Sequence, residues 1–330
     1  MLFTEASDEF SRVHQSARRT QQYMYAPDSA KNIRSHFRTY FLFCLHFNRQ
    51  PLPADSDTLV CFTEYMSQTC GFAHIKHLIG SVKLLHKIYG VEFLENDYQL
   101  DSALQSIKRK CAGTPLQVFP ILPKTMLSML LYMDLSDPQM LALWTAWLVS
   151  FFLMFRKKSA VPETLSKFDP ELGLSRQKIH VFPRRNLALV YVNYSKVIQF
   201  RERHMIVPLV GIPNSSLDPV YFLNKLFTEQ KAPDSAPAFS YYKNGRLLCI
   251  TYAIFTKKLK EFLGKAGFNP DLYSGHSFRR GGATWAHKAG CSSTMIKFTG
   301  DWASDCFLQY TWSDIDERLS TQLRMASAIT

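Results

Sequence analysis

The chain has 330 residues, 46% of them hydrophobic and 14% aromatic, which is enough material for about two domains with substantial cores. Its formal net charge of +12 favours a polyanionic partner, although charge alone does not establish one. The seven cysteines are scattered and contain no Cys-x-x-Cys pair, which excludes a disulfide framework and a zinc site of that kind. Neither a signal peptide nor an apolar run long enough for a membrane span is found, so we expect an intracellular protein with no membrane partner.

The N-terminal third predicts a polar arm followed by four helices. Residues 1–25 are polar, carry three arginines, and are expected to form a flexible arm. The first helix starts near Ser29, and its apolar side chains recur at helical spacing at Ile33, Phe37, Tyr40, Phe41 and Cys44. Three more helices are predicted over residues 57–70, capped by Asp57 or Ser56, over 75–89 and over 101–111. This pattern assigns residues 26–112 to an all-helical domain.

A second domain of mixed structure is predicted after a linker at residues 113–122, which contain one glycine and two prolines. Within residues 123–330, a β-rich section at 178–210 includes strands at 187–192 and 204–209. Helices are expected over 124–133, 138–155, 219–228, 250–264, 276–289 and 292–299. Helices with a small antiparallel sheet make this domain α+β. The sequence has no internal repeat, Walker motif or Gly-rich phosphate loop, so use of ATP is not indicated.

A candidate site begins with His276 and Arg279, which are one helical turn apart and can therefore direct both side chains at one point. Gly275 before them and the Gly281–Gly282 pair after them would allow a ligand to approach the backbone closely. The segment that contains them reads HSFRRGGATWAHKAGCSSTMIKFTGDWASDCFLQY.

The same segment ends with an aromatic donor and a phenol. Trp302 follows a Gly300–Asp301 turn, and Tyr310 is the last tyrosine of the chain. A histidine, an arginine, an indole N–H and a phenol suit one task, which is to stabilise a pentavalent phosphorane while a tyrosine oxygen attacks phosphorus.

The ordered set resembles the tyrosine recombinase (phage-integrase-like) family, whose C-terminal half carries His-x-x-Arg, then His or Trp, then the nucleophilic Tyr. It is most similar to the eukaryotic mobile-element branch of Crypton-type and Ngaro/DIRS-type transposons, where Gly-Asp-Trp-x-Ser-Asp before the Tyr is familiar. The resemblance implies a two-domain fold. An all-α, SAM-like core-binding domain would precede a mixed α+β catalytic domain with a small antiparallel sheet.

Two further catalytic residues are implied by this resemblance. The first catalytic arginine maps to Arg156, which follows the apolar run 141–155 and could clamp two phosphate oxygens with its planar fork. The cluster Arg156-Lys157-Lys158 would also suit the end of a helix, where basic residues complement the dipole. Members of the family often carry Glu three positions later, and Ser159 stands there instead.

The general acid is implied to be a lysine on the β-hairpin. Lys196 occupies that place within Ser-Lys-x-x-Gln-Phe, a form that resembles the mobile-element branch. Arg201 and Arg203 are close in sequence, but arginine is a poor proton donor because its pKa stays above about 12.

The implied reaction cuts and rejoins DNA strands. Tyr310 would attack the scissile phosphate to form a 3′-phosphotyrosyl bond, and Lys196 would protonate the departing 5′ oxygen. Arg156 and Arg279 would neutralise the phosphorane. His276 would hydrogen-bond an oxygen or assist proton transfer, and Trp302 would donate from its indole nitrogen. Because one phosphodiester replaces another, no cofactor or metal is expected. The expected protein is a site-specific recombinase or integrase of a mobile element, nuclear if its host is eukaryotic.

The expected partners are double-stranded DNA and further copies of the chain. Basic side chains expected to contact DNA are Lys31, Arg34, Arg38, Lys83, Lys87, Lys108, Arg109, Lys110 and Arg280. A C-terminal helix with Ile315, Leu319 and Leu323 on one stripe would, as in the family, dock on a neighbouring protomer and tie four subunits together on DNA. Folding of this helix onto its own domain is the alternative, and the protein without DNA is expected to be a monomer.

Two other functions fit the same residues. A type IB topoisomerase uses the same chemistry as a monomer on one duplex. A domesticated element protein could keep the fold and bind DNA without cutting it.

Overall fold

The computed structural model describes residues 2–21, 24–111, 118–193 and 205–302, together with 319, 322–323 and 325–327. The chain divides into two compact units, Met1–Pro115 and Leu116–Thr330, and this division falls inside the predicted linker. Within these described ranges, no helix has the length and apolar character needed to cross a bilayer.

The N-terminal unit is helical. Its helices are α1 (Leu2–Gln21), α2 (Pro27–His46), α3 (Ser56–Ser67), α4 (Phe72–Tyr89) and α5 (Tyr98–Lys110). Helix α1 lies in the segment that was expected to be a flexible arm. Helix α2 packs on α4, and α3 packs on α5. The four later helices enclose a core in which Leu59, Phe62 and Leu78 are almost completely buried.

Two details of this unit differ from the sequence-based expectations. The cap of α3 is Asp55, whose carboxylate accepts a hydrogen bond from the Thr58 backbone N–H at 2.6 Å, so the prediction of Asp57 or Ser56 as cap is wrong. On α2, Phe43 is 5% exposed whereas Phe41 is 38% exposed. Phe43 shares the buried face with Tyr40 because the two are one turn apart, while Phe41 is rotated away from it.

The C-terminal unit combines helices with two antiparallel sheets. Its helices are α6 (Pro123–Leu130), α7 (Pro138–Phe152), α8 (Lys157–Ala160), α9 (Pro219–Glu229), α10 (Tyr252–Lys265), α11 (Ser277–Lys288) and α12 (Ser293–Thr299). The three-stranded sheet runs in the order β1 (Ile179–Phe182), β2 (Leu187–Val192), β3 (Met205–Val210). A separate hairpin that the sequence analysis did not predict consists of β4 (Ser240–Lys243) and β5 (Arg246–Cys249).

Helix α7 forms the centre of this unit. It is apolar on all sides, which is typical of a helix surrounded by protein, and it packs against α9, α11 and β4. The Trp147 ring stacks on Phe278 of α11, with ring centroids 5.6 Å apart, and meets Phe255 of α10 edge-on. These contacts fix α11 beside the C-terminal end of α7.

Candidate active site

The first candidate residue, Arg156, is placed by a sharp turn at the end of α7. Met154 adopts a φ of 50°, in the left-handed region that usually favours glycine at helix ends. The chain then turns into the short helix α8, for which Arg156 is the N-cap. The basic cluster therefore begins α8 and does not end α7, whose last turn contains no basic residue, so the predicted dipole stabilisation of α7 is wrong.

Arg279 lies on α11 and is bound to the same turn. Its Nη1 atom donates hydrogen bonds to the carbonyl oxygens of Met154, at 2.5 Å, and Gly300, at 2.6 Å. The guanidinium also lies over the Trp302 ring, with Cζ 3.6 Å from the ring centroid. Arg279 is 2% exposed and Trp302 is 5% exposed. The fold therefore brings together the end of α7, Arg279 and Trp302, which are far apart in sequence.

The Gly300–Asp301 turn is required for this position of Trp302. A Cβ atom on Gly300 would lie 1.6 Å from the Trp302 ring, and Asp301 has a φ of 53°. The indole packs in a small apolar cluster with Met154 and Ile296. Any side chain at position 300 would therefore displace the indole from Arg279.

The Gly281–Gly282 pair serves protein packing and not the approach of a ligand, contrary to expectation. A Cβ atom on Gly281 would lie 1.7 Å from the backbone oxygen of Ile121, and one on Gly282 would lie 2.1 Å from that of Phe151. Neither backbone can move away as a flexible side chain could. The two glycines thus allow α11 to contact the main chain of its neighbours.

His276 is the exposed member of the group. Partial desolvation of its imidazole lowers the pKa of His276. The positive charges of Arg279, Arg156 and Lys157 lower it further, in that order. These cations act on His276 because they lie close to it. The structure thus places the two predicted arginines close enough to the predicted histidine for their charges to act on it.

Lys157 also acts on His276 through its charge, and the sequence did not predict it as a site residue. Its aliphatic stem lies against Gly275, where a Cβ atom would be 2.8 Å from the Lys157 Cδ. The Lys157 Nζ atom is 5.6 Å from the centroid of the Tyr252 ring. Its position directly after Arg156 was the available signal, but that position fitted a solvated charge equally well.

Lys196 and Tyr310, together with Arg201 and Arg203, lie outside the described residues. The strands on either side of Lys196 are present as predicted, since β2 ends at Val192 and β3 begins at Met205. Ser159 is half-buried and lines a small cavity together with Lys178 and Tyr191. The Lys178 ammonium donates to the backbone oxygens of Glu171 and Gly173 at 2.7 and 2.9 Å.

The basic residues expected to contact DNA differ in how available they are. Those of the N-terminal unit that are exposed are Lys31, Arg34, Arg38, Lys87, Lys108, Arg109 and Lys110. Lys110 pairs with Glu64 at 3.0 Å, and the half-buried Lys83 pairs with Glu95 at 2.6 Å. Arg280, in the C-terminal unit, is only 8% exposed. Little of the Arg280 side chain is therefore available to a phosphate in this structure.

No protein-family model and no curated protein sequence matches this chain. Solved structures do match it. The Tn1549 transposon integrase in complex with transposon right end DNA has a TM-score of 0.59 and 14% identity, over 94% of this chain and 98% of that one. The XerH site-specific recombinase in a post-cleavage complex with a palindromic difH substrate has a TM-score of 0.58 and 12% identity, over 88% of this chain and 79% of that one.

A lambda integrase dimer bound to a COC′ core site is also similar, with a TM-score of 0.53 and 13% identity over 92% of this chain and 98% of that one. All three are recombinases or integrases, and each is similar to this chain in fold over most of its own length. The chain has the fold of the tyrosine recombinases, which confirms the fold class predicted from its sequence.

Proposed function

We propose that this protein is a site-specific DNA recombinase or integrase that works through a 3′-phosphotyrosyl intermediate on behalf of a mobile element. One observation carries the proposal. The positive charges of Arg279, Arg156 and Lys157 all act on His276, and none of the described carboxylates forms an ion pair with Arg156 or Lys157. A cluster of positive charges in which Arg156 and Lys157 have no carboxylate partner among the described residues favours an anionic ligand, and a DNA phosphate provides one.

In this proposal, Tyr310 is the nucleophile and Lys196 is the general acid. Arg156, which is half-buried, binds the non-bridging oxygens of the scissile phosphate. Arg279 adds positive charge from a buried position, where electrostatic interactions are weakly screened. Trp302 holds Arg279 by stacking on its guanidinium. The lowered pKa of His276 favours its neutral imidazole, which can both donate and accept a proton.

The partners in this proposal are double-stranded DNA and further copies of the chain. The similar structures are recombinases and integrases in complex with DNA, which supports the first partner. The side chains of Leu319 and Leu323 are 56% and 61% exposed. Apolar side chains so exposed on a terminal helix support docking onto a neighbouring protomer, and hence a synaptic tetramer, over a monomeric topoisomerase. A nuclear site of action in a eukaryotic host belongs to the same proposal.

The test is trapping of the covalent intermediate on a nicked suicide duplex that carries the element's own terminal sequence. Wild-type protein should form a detergent-resistant adduct, and Tyr310→Phe should bind the same duplex equally well without forming one. An adduct that persists in Tyr310→Phe would show that another residue is the nucleophile. Binding by wild-type protein with no adduct would instead favour a DNA-binding protein that does not cut.

A further inference from the structure

We infer that Lys157 is a further substrate-binding residue of this site, which contacts a DNA phosphate oxygen beside Arg156. The inference rests on the proposed function, because it assigns a ligand to the same site. It concerns a residue outside the six to which the proposed reaction assigns a role.

The aliphatic part of Lys157 is held by packing. Lys157 is the first residue of α8, and its stem lies along the backbone of Gly275, the residue before His276. A Cβ atom on Gly275 would be 2.8 Å from Cδ and 3.5 Å from both Cβ and Cγ of Lys157. Because the stem is packed over this length, the ammonium has less freedom than that of a surface lysine. Because Gly275 has no side chain, the Lys157 stem can pack there and hold its ammonium near His276.

The ammonium itself is oriented by an aromatic ring. Its Nζ atom lies 5.6 Å from the centroid of Tyr252, within the range of a cation–π contact. Tyr252 is the first residue of α10, and its backbone N–H donates to the Pro162 oxygen at 3.0 Å. The ring therefore belongs to an anchored part of the chain and can fix the direction of the Lys157 side chain.

Lys157 also differs from several other lysines of the C-terminal unit in its electrostatic partners. These lysines are paired with carboxylates: Lys167 with Glu163, Lys225 with Glu229, Lys258 and Lys265 with Glu261, and Lys260 with Asp271. Lys157 has no such pair within the described ranges, although it is half-buried and lies close to other cations. An arrangement of this kind is unfavourable unless an anion is bound, and a phosphate oxygen would satisfy it.

The position of Lys157 also affects His276, the N-cap of α11. His276 is influenced by the charge of Arg279 on the same helix and by those of Arg156 and Lys157 at the start of α8. Removing the charge of Lys157 removes one of the causes that lower the pKa of His276. That pKa should therefore rise toward its ordinary value, so that protonation of His276 extends to higher pH. If cleavage uses neutral His276, the acidic limb of the pH–rate profile should move to higher pH in the variant.

The experiment compares Lys157→Gln with Lys158→Gln, a neighbour on the same helix whose side chain is exposed. Affinity for the nicked terminal duplex is measured over a range of salt concentrations. Loss of one phosphate contact should reduce the slope of log affinity against log salt by about 0.9. Single-turnover adduct formation is then followed over pH. Lys157→Gln should reduce the slope and move the acidic limb upward, and Lys158→Gln should do neither. Lys157→Arg should restore both.

The outcomes separate this inference from the proposed function. Wild-type protein that forms no adduct at Tyr310 contradicts the proposed function itself. Wild-type protein that forms the adduct, with a Lys157→Gln variant of unchanged salt slope and unchanged pH limb, contradicts only the role of Lys157. Equal effects from Lys157→Gln and Lys158→Gln would also overturn it, since they would reflect the general charge of the cluster. Melting temperatures of both variants show whether each is folded.

Discussion

The guanidinium of Arg279 lies over the ring of Trp302, with Cζ 3.6 Å from the ring centroid, and both side chains are almost fully buried. Indole offers the best aromatic face for a cation, and arginine stacks on such faces while keeping its N–H groups for hydrogen bonds. Arg279 uses its N–H groups in this way, because Nη1 donates to the oxygens of Met154 and Gly300. Trp302 therefore acts on the site through the position of Arg279.

Trp302→Ala should destabilise the protein and impair cleavage more than DNA binding. Removing a buried tryptophan typically costs about 3–5 kcal/mol, and Arg279 would also lose the face on which it stacks. Trp302→Phe, which keeps an aromatic face, should be milder. The measurements are thermal unfolding and single-turnover adduct formation. Trp285, which is 44% exposed, offers a matched control, because Trp285→Ala should change the unfolding midpoint little. Equal unfolding midpoints for the two alanine variants would contradict a structural role for Trp302.

Lys196→Ala should slow cleavage of an ordinary phosphodiester strongly if Lys196 protonates the departing 5′ oxygen. A 5′-bridging phosphorothiolate leaves without needing a proton, so the variant should cleave that substrate at nearly the wild-type rate. The ratio of the two rates, measured in single turnover, is the readout. Equal defects on both substrates would assign the acid role to another group, with His276 the next candidate.

Cleavage should persist in excess EDTA. In the proposed mechanism, Arg156, Arg279 and Lys196 supply the positive charge that a metal ion would otherwise contribute at the phosphorane. The readout is adduct formation with and without the chelator, with duplex binding followed in parallel. Loss of cleavage that Mg²⁺ restores, at unchanged binding, would contradict the mechanism.

Deleting residues 314–330 should leave binding to a single site intact while it abolishes higher-order complexes and recombination. The exposed side chains of Leu319 and Leu323 would then be lost from the surface that we propose meets a neighbouring protomer. Burial of each aliphatic side chain contributes about 1.5–3 kcal/mol, enough to decide assembly. Electrophoretic separation of single-site and synaptic complexes measures the effect. A truncated protein that melts earlier and fails on a single site would instead indicate that the helix folds onto its own domain.

Local signals in the sequence predicted most of the secondary structure. Helix α4 ends at Tyr89, as predicted, and is followed by Gly90, which has a φ of 64°. The β4–β5 hairpin was missed although it carries a strong signal, the pair Asn244–Gly245 between β-forming residues. Both have positive φ values, 51° and 73°, which suit a tight hairpin turn. Strand β4 does not alternate buried and exposed side chains, since Ser240 and Tyr241 are buried and Tyr242 and Lys243 are exposed, so it lacks the period of two that identifies a strand.

The site was only partly predictable, for a different reason. Arg156, His276, Arg279 and Trp302 could be named because they stand in a recognisable order, and the structure brings these four together. The hydrogen bond from Arg279 to Met154 joins residues 125 positions apart, and no local pattern reports such a contact. The role of Gly281 and Gly282 was misjudged for the same reason, since glycine permits close approach without indicating what approaches.

The contact between Gly281 and Ile121 has a practical consequence for dissecting the protein. The segment before α6 makes two backbone hydrogen bonds to the chain around the start of α11, from Phe119 N–H to the Leu272 oxygen at 2.7 Å and from Ile121 N–H to the Ser277 oxygen at 3.0 Å. A fragment that began at Pro123, where the first helix of the unit starts, would lack both bonds and leave the main chain of α11 open to water at Gly281. We therefore expect that a stable fragment of the C-terminal unit must start before Phe119, although its first helix begins later.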